Sequence, residues 1–240
     1  MYKNTLERYL QKYNLNGNVN SVVVNSKNKK LKCRFTTDDK SLLGEVQLSK
    51  IDMEEGKLGI YDTNSLQRIL NVMNDNVNIK IDSINSKAVR MKIKDSNINA
   101  NFMLADLSVF YSPPQLKKLP DWDLTYNFDN KFIQTYIKSK SALAEADTFA
   151  VKTKNKYGEV IIGWSKASTN NITIPLKEPD FINSFQTLQF NANLLKDIMM
   201  SNRESKTGTL HVSEQGLLKI HFEVDDFIST YYLSAIGEND

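Results

Sequence analysis

The stretch Asp62-Thr-Asn-Ser-Leu-Gln-Arg-Ile-Leu-Asn71 is read again 129 residues later, at 191 against 62, as Asn191-Ala-Asn-Leu-Leu-Lys-Asp-Ile-Met-Met200. The same offset carries residues 88–94 onto 217–223 and 98–104 onto 227–233. Upstream the offset is 127. Leu6, Tyr9 and Leu10 fall on Ile133, Tyr136 and Ile137, Val22 and Val24 on Phe149 and Val151, and Lys27-Asn-Lys29 on Lys154-Asn-Lys156. Solenoid units run roughly 20–50 residues, so a period this long is a whole small domain used twice. The 240 residues therefore divide into a first domain over 1–110, a connector over 111–125 and a second domain over 126–240. Such a duplication points to quasi-symmetric assembly rather than to an active site.

Each copy opens on a helix. Leu6, Tyr9, Leu10 and Tyr13 share one stripe at helical spacing, as do Phe132, Ile133, Tyr136 and Ile137. Short strands follow, among them 19–24 and 160–164. A second helix carries Leu66, Ile69, Leu70 and Met73 in the first copy, and Leu195, Ile198 and Met199 in the second, with Thr63 and Asn193 as expected N-caps. The copies close on strands in which Val89, Met91 and Ile93 alternate with Arg90, Lys92 and Lys94, and Leu218, Ile220 and Phe222 with Lys219, His221 and Glu223. Period-two alternation means a sheet with one wet and one dry face. The fold class is α+β, with antiparallel strands whose dry faces two helices per copy must cover. Val46 and Leu48 fall out of phase with Ile172 and Ile174, which predicts a one-residue shift in the repeat there. Pro175 marks an edge strand or a bulge. Strands 98–104 and 172–176 are thus candidate edges at which another chain can pair.

Composition narrows the function classes. A hydrophobic content of 40% with 25% charged residues supports two packed cores. Cys33 is the only cysteine, so no internal disulfide exists, which fits a reducing cytoplasm (that of a host cell, if the chain is viral). The N-terminal residues have no apolar signal core and no apolar run approaches the roughly 20 residues of a membrane span, so no membrane partner is expected; the sequon at Asn171 then means little. There is no phosphate-cradling glycine loop and no Gly-x-Ser-x-Gly elbow. His211 and His221 share no ligand-like spacing with a carboxylate or thiol, Asp38-Asp39 and Asp225-Asp226 read as turns, and Cys33 reads as a buried thiol. No catalytic residue, metal or cofactor is expected.

Net charge is only +3, from 31 basic and 28 acidic residues, so the placement of charge matters more than its sum. The outward faces of the first-type helices carry Arg8 and Lys12, and Lys131 and Lys138. The second-type helices carry Arg68, and Lys196 with Arg203; Asp197 occupies the position of Arg68. Surface helices normally carry lysine, yet four helices leaning one way suggest a mildly positive, sequence-blind surface for phosphates. Between the copies, residues 105–126 hold three of the five prolines, Pro113, Pro114 and Pro120, and so read as extended. That stretch also carries Val109, Phe110, Tyr111, Leu116, Leu119 and Trp122. They either pin the connector to the surface or, with Ile236 of the closing strand, wall a pocket for a partner peptide. Glu238 and Asp240 have no assigned role.

Residues 59–75, Gly59-Ile-Tyr-Asp-Thr-Asn-Ser-Leu-Gln-Arg-Ile-Leu-Asn-Val-Met-Asn-Asp75, together with Phe190-Asn-Ala-Asn-Leu-Leu-Lys-Asp-Ile-Met199, resemble the second helices of the two domains of the DNA sliding clamps of tailed bacteriophages. Proliferating cell nuclear antigen shares the two-domain plan. The resemblance implies two tandem clamp domains per chain and three chains closing head to tail into a homotrimeric ring. It further implies duplex DNA in the hole, held without sequence preference, a tethered DNA polymerase, and a clamp-loader ATPase. It implies that partner tails dock near the connector. The first copy departs from the pattern in starting almost at once with its helix, which leaves residues 1–3 without a counterpart strand. The competing reading is a duplicated-domain interaction protein or viral structural subunit that forms no ring.

Overall fold

The computed structural model describes residues 2–116, 118–154, 157–165, 167 and 169–237. Asn155 and Lys156 of the repeated Lys-Asn-Lys, and Glu238 and Asp240, lie outside them. The chain forms two compact units, one of Met1–Asp38, Gly44–Pro114 and Asp225–Ser229, the other of Asp39–Leu43, Gln115–Val224 and Thr230–Asp240.

In chain order the first elements are α1 (Lys3–Asn14), β1 (Val22–Lys27), β2 (Lys30–Thr36), β3 (Leu42–Ser49), β4 (Gly56–Ile60), α2 (Thr63–Asn71), β5 (Asn78–Ile84), β6 (Lys87–Lys94) and β7 (Asn99–Met103). Strands pair antiparallel in the orders β3-β2-β1-β4 and β5-β6-β7. Two hairpins turn on Asn28-Lys29 and Asn85-Ser86, with positive φ at both central residues, the geometry whose twist matches the flanking strands. The expected stripe of α1 is buried, and Tyr13 packs edge-on against Tyr9 with ring centroids 5.7 Å apart. The Tyr13 hydroxyl meets Thr63 Oγ1 at 3.1 Å, which ties α1 to α2. The left-handed φ of Leu15 and Asn16 ends α1 there, and Asn14 locks the exit by accepting from Gly17 N and donating to Val19 O. Cys33 is buried in this core, and burial pushes its thiol up to about 12, so it stays protonated.

The second set is β8 (Leu124–Asp129), α3 (Asn130–Ala142), β9 (Thr148–Lys154), β10 (Tyr157–Ile162), β11 (Ile172–Leu176), β12 (Phe181–Ile182), β13 (Leu188–Asn191), α4 (Ala192–Ser201), β14 (Thr207–Ser213), β15 (Leu217–Val224) and β16 (Phe227–Ser234). Its strand orders are β11-β10-β9-β13 and β12-β8-β14-β15-β16. The core stacks Tyr136 edge-on to Phe149 and Phe149 on Phe190, at 5.8 and 5.6 Å. Element for element, α1, β1 and β2 correspond to α3, β9 and β10, and α2, β5, β6 and β7 to α4, β14, β15 and β16. Where β8 opens the second copy by pairing with β14, the first has a single bridge from Tyr2 to Asn76.

Two local expectations, the N-caps and the connector, are corrected, and the expected one-residue shift is found. The N-caps are Asp62 and Asn191, whose side chains accept from Ser65 N and Leu194 N at 2.9 Å each. Thr63 is instead buried, donating to Asn20 O, and Asn193 donates to Asp147. Burial pairs Val46 and Leu48 with Ile174 and Leu176, one residue beyond the 127 offset, and leaves Pro175 exposed opposite Glu159 on the edge strand β11. The described residues of the connector stretch form a short 3-10 turn at Leu107–Val109 and then no regular element until β8, to which the last residues already belong.

Candidate nucleic-acid interface

α3 begins where Asp129 accepts from Phe132 N at 3.0 Å. Its apolar stripe of Phe132, Ile133 and Tyr136 faces inward, so Lys131 and Lys138, two turns apart, stand exposed on the far side. On α4 the same logic leaves Lys196 half-buried, with Arg203 exposed just past its end. Asn202, fully buried, closes that end by donating to Ile198 O and the Tyr231 hydroxyl. In the second unit, then, four exposed or half-buried cations lie along α3 and α4, with Asp197 half-buried beside them, while a fifth, Lys140, is buried and donates to Ala144 O.

The first unit differs. Arg68 on α2 is exposed, but its guanidinium donates to Ser65 Oγ and lies 3.8 Å from Asp62. Hydrogen bonds from the Ser65 hydroxyl and amide hold the Asp62 carboxyl below the usual range. Arg8 on α1 is half-buried; it donates to Asp225 at 2.8 Å and lies over the Phe227 ring, 4.6 Å from its centroid. Lys12 overturns its assignment. It is fully buried, with Nζ 5.3 Å from the same centroid, so its ammonium cannot meet a phosphate. Helical spacing placed Arg8 and Lys12 on one face correctly. The signal missing from the local sequence was Phe227, which reaches this unit from more than two hundred positions away, as did Asp225.

The connector residues also separate. In the first unit Val109 and Tyr111 are exposed, whereas Phe110 packs on β4. A Cβ on Gly59 would sit 2.7 Å from the Phe110 ring and 2.4 Å from the Ala105 carbonyl, so glycine is what lets the segment lie this close. In the second unit Leu116 and Ile236 are exposed and Leu119 is half-buried. Ile236 N donates to Gln189 O, and Trp122 packs against His211 at 5.3 Å. Burial, followed by the charge of Lys219, lowers His211 to about 4. Among the described residues no group of three or more His, Cys, Asp or Glu side chains could hold a metal ion, and no helix is long and apolar enough to cross a membrane.

No family model and no curated protein sequence matches the chain. Solved structures do. The proliferating cell nuclear antigen of Entamoeba histolytica superposes with a TM-score of 0.76 at 13% identity, over 99% of this chain and 97% of that one. A chain of the PCNA2–PCNA3 complex from Sulfolobus tokodaii gives 0.75 at 9% identity, over 98% and 97%. The A. fulgidus PCNA bound to the C-terminal region of FEN-1 gives 0.79 at 15% identity, over 100% and 98%. At such identities the likeness is one of fold, and it runs the length of the chain: the fold is similar to that of these proliferating cell nuclear antigens.

Proposed function

We propose that this protein is a sliding clamp, a non-catalytic ring of three copies that encircles duplex DNA and tethers a DNA polymerase. The observation that carries the reading is the correspondence of two sheet edges. In the first unit the end of β3 is met by segment 225–229, with Ser49 N donating to Asp226 O at 2.9 Å. The counterpart of β3 in the repeat is β11, and the counterpart of β16 is β7. Both β11 and β7 end their sheets. Edges left open in one copy of a repeat and met in the other are what a head-to-tail ring requires, because it has no terminal subunit. Two domains per chain in three chains give sixfold quasi-symmetry.

In this reading the helices line the hole. Arg68, Lys131, Lys138, Lys196 and Arg203 then meet phosphates weakly and without reading bases, which suits a grip that must slide. Arg8 joins them only by releasing Asp225. The A. fulgidus structure, described with the C-terminal region of FEN-1 bound, supports docking of partner tails at exposed apolar residues here as well, with Val109 and Tyr111 as the candidates in the first unit and Leu116 and Ile236 as those in the second. The polymerase and a clamp-loader ATPase are the expected owners of such tails, in a viral replisome if the phage resemblance of residues 59–75 is followed.

Light scattering tests the ring directly. Three chains of 27.4 kDa should elute as one species of three times that mass, and Thr173→Pro should shift it toward the monomer. A wild-type chain that stays monomeric at micromolar concentration refutes the ring.

A further inference from the structure

The sheet β5-β6-β7 has an outer face that the clamp reading leaves unused. Its register places Asp82, Arg90 and Met103 in one row, Lys80, Lys92 and Asn101 in the next, and Asn78, Lys94 and Asn99 in the third. The opposite face, Ile79, Ile93 and Ala100 with Ile81, Met91 and Phe102, turns to the core. Four cations therefore share the outer face with one carboxylate. Asp82 is engaged by both Arg90 and Lys92. Lys80 and Lys94 are exposed, and among the described residues neither makes an ion pair.

The duplicate of this face shows that the fold does not demand the charge. On β14 and β15 the equivalent positions hold Thr209 opposite His221 and His211 opposite Lys219, with Glu223 where the first unit has Lys94. With neutral histidines that face carries one lysine against one glutamate and sums to zero, while the first-unit face sums to +3. The first unit keeps this excess although Lys80 stands directly opposite Lys92, an arrangement that costs stability in an isolated sheet.

We propose that this face binds an extended acidic segment of a partner protein, with carboxylates on alternate residues. Strand geometry sets the match. Arg90, Lys92 and Lys94 project from β6 at roughly 7 Å intervals, the spacing of alternate side chains in an extended peptide. The grid measures roughly 10 Å by 14 Å. Even a single small DNA-binding module buries roughly 600 Å² or more of protein surface, so the face is too small for a duplex but holds three or so carboxylates. The face carries no aromatic ring on which the bases of a single strand could stack. Asn78, Asn99 and Asn101 border the cations and can hydrogen-bond a peptide backbone.

The test measures the affinity of a short fluorescent peptide of alternating Glu and Ser for the full-length protein by anisotropy. Reversal of two exposed cations, K80E with K94E, should weaken binding by about tenfold or more, and K80Q with K94Q by less, while thermal melts show no loss of stability, since either change at 80 relieves the like-charge pair with Lys92. K131E with K138E, on α3, should leave peptide binding intact. Failure of the wild type to bind, or insensitivity to K80E with K94E, overturns the proposal. So does an equal loss from K131E with K138E. Displacement of the peptide by a DNA duplex, lost in K80E with K94E, would assign the face to phosphates and overturn it too. None of these arms depends on the ring, so the clamp reading stands or falls separately.

Discussion

The sharpest consequence of the helix geometry concerns two lysine sets that look alike in the sequence. Lys131 and Lys138 are exposed on α3; Lys12 is buried against Phe227. Each phosphate neutralised by a lysine contributes about 0.9 to the slope of log affinity against log salt. With one subunit's Lys131 and Lys138 against phosphates, Lys131→Gln with Lys138→Gln should lower that slope by about 1.8. Between 50 and 200 mM salt, the wild type should therefore lose about tenfold more affinity than the variant does. Lys12→Met keeps an unbranched chain over the ring and removes only a charge that no phosphate reaches, so its slope should equal that of the wild type. Anisotropy of a labelled duplex at several salt concentrations reads both. If Lys12→Met lowers the slope as far as the α3 pair does, or the α3 pair leaves it unchanged, the division between buried and exposed cations is wrong.

Gly59→Ala should destabilise the chain by about 1–3 kcal/mol in urea unfolding, because its new methyl meets a carbonyl oxygen and an aromatic ring that must both shift; an unchanged midpoint would show that the segment over β4 is loosely held. Asp62→Ala removes the α2 cap and should cost about 1 kcal/mol, whereas Asn193→Ala should cost much less; equal costs would contradict the cap assignment. His211 is held neutral when folded, at about 4 against an ordinary 6.5. The unfolded chain takes up that proton first as pH falls, so stability should drop as pH goes from 6.5 to 4, by about 1 kcal/mol after discounting for its partial exposure. In His211→Gln that part of the pH dependence should vanish from melts recorded across the window.

The duplication, the helical stripes and the alternating strands were legible because each is a local pattern repeated. The shift between Val46 and Ile174 showed in the sequence as two hydrophobic rows out of phase. The N-caps were missed narrowly: Asp62 and Thr63 are both good capping types, and only the backbone shows that the chain is still non-helical at Asp62. Lys12 was misplaced for a different reason. A helical wheel shows which residues share a face but not whether a distant aromatic ring covers it. The cationic grid was half visible, since Arg90, Lys92 and Lys94 alternate along one strand. Lys80 joins them only through a pairing register that no single segment encodes.

Pro175 gives β11 a property that burial and charge do not. A proline in the strand removes one main-chain donor and adds a rigid ring where a neighbour's backbone must approach, which is why sheets confine it to their margins. An open margin with a full set of donors accepts almost any extended segment, in many alignments, and seeds fibrils. With one donor missing, most alignments set a carbonyl against the pyrrolidine ring and are refused. If the proposed ring pairs β11 with a neighbouring subunit, the proline would act as a key cut into that edge, narrowing the registers in which the neighbour can meet it.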